Sequence, residues 1–126
     1  QLKKVAGIII RKREIAALYG EGLKDLPDIV LQPEAKWAKN VFWMYSILVP
    51  KKGKKNRDFL AKELKRSKID SRPFFFPVHR LPRYKTGEKF EIADYLAQTG
   101  LNLPSSPNLK NEQIQYICEK IIKILN

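Results

Sequence analysis

The run VFWMYSILVP, Val41 to Pro50, limits the fold more than any other stretch of this chain. Aromatic and β-branched residues crowd it without polar alternation, so it reads as a strand covered on both faces. It is too short to cross a bilayer, which takes roughly 20 apolar residues. Such a strand needs helices against it, and their patterns lie on either side. Val5, Ile8, Ile15, Leu18, Tyr19 and Leu23 recur at helical spacing, which predicts a helix over Leu2–Leu23. Pro27 stops it by disfavouring a helical Leu26. Asn56 is placed to cap a helix over Arg57–Arg66 that buries Phe59, Leu60 and Leu64. Asn111 is placed to cap a last helix, with Ile114, Ile117, Cys118, Ile121, Ile122 and Leu125 as one apolar stripe.

Between these lie shorter elements. Ile29–Leu31 reads as a strand, LNLP as a strand or extended run, and Phe90–Ala97 as a helix ended by Gly100. RLPRYKTGEKF is loop-like. The order α-β-β-α-β-α-β-α, without repeats, points to one α+β domain over residues 1–126, a small antiparallel or mixed sheet covered by helices. A chain of 126 residues can bury such a core without metal or disulfide staples. Its one cysteine, Cys118, excludes an intrachain disulfide and fits a reducing cytoplasm. The chain opens on Gln1 and passes at once into a helical pattern, with no signal segment. We therefore expect a piece of a longer protein.

The net charge of +12 favours polyanions, whether phosphates, nucleic acid or an anionic surface. Three basic clusters, RKR, KKGKK and KELKRSK, fit solvated helix faces and a turn. The fourth, HRLPRYK, lies beside an unusual aromatic segment. No glycine-rich phosphate loop, helix-turn-helix or RNA-binding aromatic motif is present. One histidine and one cysteine show no zinc-ligand spacing. Cys118 sits on an apolar stripe, which suits an inert buried thiol better than a nucleophile paired with His79.

The aromatic segment is SRPFFFPVH, Ser71 to His79, three phenylalanines between two prolines. If it is extended, Arg72, Phe74 and Phe76 share one face and Phe75 and His79 the other. One face could then serve the core while the other offers aromatic surface with a polar handle. Aromatic rings pack on sugar C–H faces or on bases, and Arg or His donates to oxygen. The local pattern leaves open a plainer strand whose phenylalanines are all core.

Four blocks in order, KREIAALYGEGLKDLPDIVL, VFWMYSILVP, RPFFFPVHRLPRY and GLNLPSSPNLKNEQIQYICEKI, resemble the C-terminal part of sugar-nucleotide aminotransferases of the DegT/DnrJ/StrS type. RPFFFPVH and GLNLPSSPNL are most similar to the perosamine synthase branch, which aminates a GDP-linked 4-keto-6-deoxy sugar. The resemblance implies the small C-terminal domain of a fold-type-I enzyme that depends on pyridoxal phosphate (PLP), usually a cytoplasmic homodimer. It also implies glutamate as the common amino donor. The cofactor-binding lysine of such enzymes lies in a larger N-terminal domain, so no catalytic, PLP-binding or metal-binding residue is expected here and the fragment alone is expected to be inactive. By position in the motif, Phe74, Phe76, His79 and Arg72 are the residues expected at the nucleotide sugar, with His79 donating to a hydroxyl or phosphate oxygen. Tyrosine is common in the family where this chain has phenylalanine. No membrane partner is expected. The alternative, from the charge and the aromatic surface, is a stand-alone nucleic-acid-binding module.

Overall fold

The computed structural model describes residues 2–85 and 87–126, with the backbone alone for Leu2. The sequence readings at Gln1, and at Thr86 within the expected loop, lie outside the described residues. Four helices, α1 (Val5–Leu23), α2 (Arg57–Arg66), α3 (Glu91–Thr99) and α4 (Asn111–Leu125), alternate with four short strands. The strands are β1 (Val30–Leu31), β2 (Tyr45–Leu48), β3 (Arg72–Pro73) and β4 (Gly100–Leu103), and the order along the chain is the one expected. They form one antiparallel sheet in the order β1-β2-β4-β3.

The period of two along a strand decides where the core lies. Tyr45, Ile47 and Val49 turn inward, as do Leu101 and Leu103, and all five are buried. They meet Ile15, Tyr19 and Leu23 of α1, Leu60 and Leu64 of α2, and Ile114, Ile117, Cys118, Ile121 and Leu125 of α4. The rings of Tyr19 and Tyr45 stack at 4.8 Å, and the Tyr19 hydroxyl donates to the Pro104 carbonyl at 2.8 Å. Burial is complete enough to push the Tyr45 phenol up to about 12 and the Cys118 thiol up to about 11. A β-carbon on Gly22 would stand 2.7 Å from the Cys118 sulfur, so this glycine lets α1 and α4 approach closely.

Several local expectations change. The strand expected over Val41–Pro50 is shorter, because the Asn40 side chain accepts from the Phe42 N–H at 2.8 Å and Phe42 takes a left-handed turn at φ 46°. It is also covered on one face only. Ser46 and Leu48 on the other face are half-buried. Asn56 caps α2 as expected, accepting from the Phe59 N–H at 2.8 Å, although Phe59 itself is only half-buried. Asn111 does not cap α4. It is the first helical residue and accepts from Arg11, while Gln113 reaches back to the Lys110 N–H at 2.9 Å. The stripe on α1 is buried in its second half only, and Val5, Ile8 and Ile10 stay exposed.

Candidate functional site

Alternation places Met44, Ser46, Asn102 and Gly100 on the face of the sheet that α1, α2 and α4 leave uncovered. Register adds Arg72, which pairs with Asn102 and so stands beside it on the same face. Pairing of β3 stops at once, and the chain continues as a ridge. The Phe74 N–H donates to the Gly100 carbonyl at 3.1 Å, and its ring lies flat on the bare α-carbon of that glycine. Beyond it the expected alternation fails. Pro77 opens a turn of 3-10 helix over Val78–Arg80, and Phe75 (82% exposed) and Phe76 (64%) both face solvent. The plainer reading, with every phenylalanine in the core, does not hold.

A cleft opens on each side of this ridge. On the sheet side, about 380 Å³ is enclosed by Gln32, Trp43, Met44, Ser46, Asn102 and the phenylalanines. Trp43 is 69% exposed. On the α3 side, about 320 Å³ lies between the ridge and Arg57, Arg80, Asp94 and Gln98. Arg57 braces the α3–β4 junction there, donating to the Ala97 carbonyl at 3.0 Å.

His79 faces neither cleft. Its Nε2 lies 2.9 Å from the Asp94 Oδ1, which also accepts from the Arg80 Nε at 2.6 Å, and its ring packs 4.7 Å from that of Phe90. Arg80, then His79, hold the Asp94 carboxyl below its ordinary value of 3.8, so it is a carboxylate near neutral pH. An acceptor-only carboxylate requires the hydrogen to sit on Nε2, which leaves the Nδ1 of a neutral His79 as an acceptor. The Nε2 hydrogen is thus engaged within the protein, by Asp94. Arg72 is also engaged, 3.5 Å from Asp70, with its side chain 77% exposed. The structure therefore brings Phe74 and Phe76 to the clefts, sets His79 behind them as a support, and stands Arg72 at the sheet edge. Sequence reasoning reached Arg80 only as part of the basic cluster HRLPRYK and missed Asp94, Gln32 and Asn102. The DYLAQ stretch around Asp94 carries no local signal that it faces His79.

Because the folded-state value of Asp94 is depressed, its stabilising effect is present above the unfolded value and is lost as pH falls through the folded one. Lowering the pH from 7 to 3 should therefore reduce the urea midpoint of the native protein by more than that of Asp94→Asn. Equal losses would show that the carboxylate does not stabilise the turn.

The fold is thus a half-open α+β layer with an aromatic ridge across its uncovered sheet face. Residues 1–122 match the DegT/DnrJ/EryC1/StrS aminotransferase family, and the chain belongs to this family. It is 40% identical over 122 residues to a GDP-perosamine synthase of Escherichia coli O157:H7, covering 96% of this chain and 32% of that protein. It is 36% identical over 129 residues to a GDP-perosamine synthase of Vibrio cholerae, covering 100% of this chain and 35% of the relative. The chain thus spans about a third of the length of these curated relatives. Among solved structures, the aminotransferase TlmJ from Streptoalloteichus hindustanus superposes with a TM-score of 0.91 at 21% identity, over 99% of this chain and 34% of TlmJ, which shows the same fold.

Enzymes of this family use PLP, which needs a lysine for its aldehyde and a charged partner for its ring nitrogen. Burial lowers the pKa of one lysine, Lys12. Its ammonium donates to the Trp43 carbonyl at 2.7 Å and the Ser105 carbonyl at 2.6 Å, which makes it a strut between loops. Held in this way, Lys12 does not fit the cofactor's aldehyde. Among the described residues there is also no cluster of metal ligands, and no helix is long and apolar enough to cross a membrane.

Proposed function

We propose that this chain is the C-terminal small domain of a PLP-dependent aminotransferase that moves an amino group, from glutamate, onto a nucleotide-linked 4-keto-6-deoxy sugar. Its product would be a perosamine-like amino sugar destined for a surface polysaccharide. The observation that carries this reading is 40% identity to a GDP-perosamine synthase over nearly the whole chain. The cofactor and its lysine belong to a preceding domain, and the first half of α1, where Val5, Ile8 and Ile10 are exposed, is where that domain packs. The parent enzyme works as a homodimer in the cytoplasm, and this domain alone does not transaminate.

In this reading the ridge closes the sugar-nucleotide pocket. Phe76 offers an apolar face to the pyranose, and Phe74, seated on Gly100, fixes the height of the ridge. Arg80, oriented through Nε by Asp94, directs its remaining N–H groups toward anionic oxygen. His79 acts from behind the ridge, accepting at Nδ1, and Arg72 attracts the diphosphate from the sheet edge. Positioning of this kind lowers the barrier by holding the keto carbon where the amine can reach it, without any chemistry in these side chains.

The test is Phe76→Ala in the parent enzyme. It should raise the KM for the nucleotide sugar about tenfold, the equivalent of one well-packed aromatic contact. The rate of amino uptake from glutamate should stay the same. An unchanged sugar KM would remove the ridge from the pocket.

A further inference from the structure

The ridge belongs to a stretch of chain that the hydrophobic core does not hold. Between Ile69 and Leu101 no described apolar side chain joins that core. Residues 74–99 leave the sheet after Pro73 and return to it at Gly100, so they form an arm closed at its base. Along the arm Phe75, Phe76, Val78, Tyr84, Ile92 and Tyr95 face solvent. Main-chain hydrogen bonds fix the base. The Phe74 N–H donates to the Gly100 carbonyl, and the Val49 N–H donates to the Thr99 carbonyl at 2.8 Å, one residue beyond the β2–β4 register. That ladder does not set the direction in which α3 leaves it.

Arg57 is placed to set it. It is the first residue of α2, a helix fastened to the core by Leu60 and Leu64, and its side chain is only 13% exposed. Its Nε donates to the Asp58 Oδ1 at 2.6 Å, which steadies the guanidinium. Its Nη1 donates to the Ala97 carbonyl at 3.0 Å and lies 3.4 Å from the Gly100 carbonyl. The last turn of a helix leaves carbonyls without intrahelical partners, and the helix dipole favours a cation there. In α3 the Leu96 carbonyl takes the Gly100 N–H and the Thr99 carbonyl takes that of Val49, while Ala97 takes Arg57. The constraint continues outward, because Asp94 of the same helix accepts from Arg80 and pairs with His79 on the turn that follows the ridge. Two polar junctions thus tie that turn to a core helix.

We propose that Arg57 is a positioning residue for the sugar-nucleotide pocket, holding α3, and through Asp94 the ridge, at the angle that turns Phe76 and Arg80 to the substrate. This deepens the function proposed above and rests on it. Arg57 does this without touching the substrate. An apolar side chain of similar length would leave the Ala97 carbonyl without its donor. The arm, which has no side chain in the core, would then swing about its base and reshape both clefts while the core stayed intact.

The test is Arg57→Met in the full-length parent enzyme with its cofactor, read by steady-state kinetics and by hydrogen exchange. The KM for the nucleotide sugar should rise roughly tenfold, the equivalent of one hydrogen bond to a charged group. Amino uptake from glutamate should keep its rate. Without substrate, amides of α3 and of the Val78–Arg80 turn should exchange faster in the variant, and those of α4 should not. Asp94→Ala breaks the second junction and should raise the same KM, so the relay is tested even where Arg57→Met folds poorly. Ile121→Val loosens the core without reaching the arm and should leave the sugar KM where it was. An unchanged sugar KM in both Arg57→Met and Asp94→Ala, with amination of nucleotide sugars intact, overturns the proposal and leaves the proposed function standing. A raised KM in Arg57→Met with unchanged exchange in α3 also overturns it, because Arg57 would then be a direct contact of the substrate. An equal rise in Ile121→Val overturns it as well, since general loosening would suffice. Failure of the unmodified enzyme to aminate any nucleotide sugar overturns the proposed function and this role of Arg57 together.

Discussion

Gly100→Ala is expected to cost about 1–3 kcal/mol of stability and to weaken nucleotide-sugar binding in the parent enzyme, through a single added methyl group. The backbone of Gly100 is ordinary extended strand, so the glycine is not there for its dihedral freedom. It is there because a β-carbon would stand 2.3 to 2.5 Å from three carbons of the Phe74 ring. Phe74 cannot yield cheaply, since its N–H is bonded to the carbonyl of the same glycine and the segment is stiffened on either side by Pro73 and Pro77. Lifting the ring would carry Phe75 and Phe76 with it and reshape both clefts. Urea denaturation of Gly100→Ala, Phe74→Ala and the double variant separates the causes. If the clash dominates, Gly100→Ala should cost far less when Phe74 is already alanine. Additive losses would mean that the ring and the glycine do not interact.

Ile121→Ala should have the largest effect on stability, about 2–5 kcal/mol. Ile121 is fully buried at the centre of the α4 stripe, where that helix meets the rest of the core. A domain of this size has a total stability of roughly 5–15 kcal/mol, so the loss is a large share of it. The adjacent Ile122 only packs against the core margin, and its replacement by alanine should cost clearly less. Comparable losses at the two positions would mean that the face of α4 turned to the core has been misassigned.

That face was legible in the sequence, because a period of 3.6 is written into Ile114, Ile117, Cys118, Ile121 and Leu125 and nothing local opposes it. The α2 boundaries and the Asn56 cap were legible for the same reason: capping is a contact between near neighbours. The uncovered sheet face was not. VFWMYSILVP is apolar apart from Ser46, but Trp43 and Met44 line a cleft while Tyr45 and Ile47 enter the core. Hydrophobicity records that a side chain avoids water, and a ligand cleft or a covering domain selects for that as strongly as a core does. At the site, the motif pointed to a segment that the structure exposes as a ridge, but it carried no sign that Asp94 engages the Nε2 of His79. Asp94 lies 15 positions away on another element, and the turn at Val78–Arg80 brings the two together. Gln32, Ser46 and Asn102 were invisible for the same reason, since they come together only in the register of the assembled sheet.

The central claim is that this fold serves amination of a nucleotide sugar. It is tested most directly by supplying the full-length parent enzyme, with PLP, with glutamate and a GDP-linked 4-keto-6-deoxy sugar, and following the nucleotide-sugar product by mass spectrometry. The account predicts replacement of the keto oxygen by an amino group, dependent on glutamate and stoichiometric with 2-oxoglutarate release. A keto sugar recovered unchanged, whichever nucleotide carries it, would contradict it.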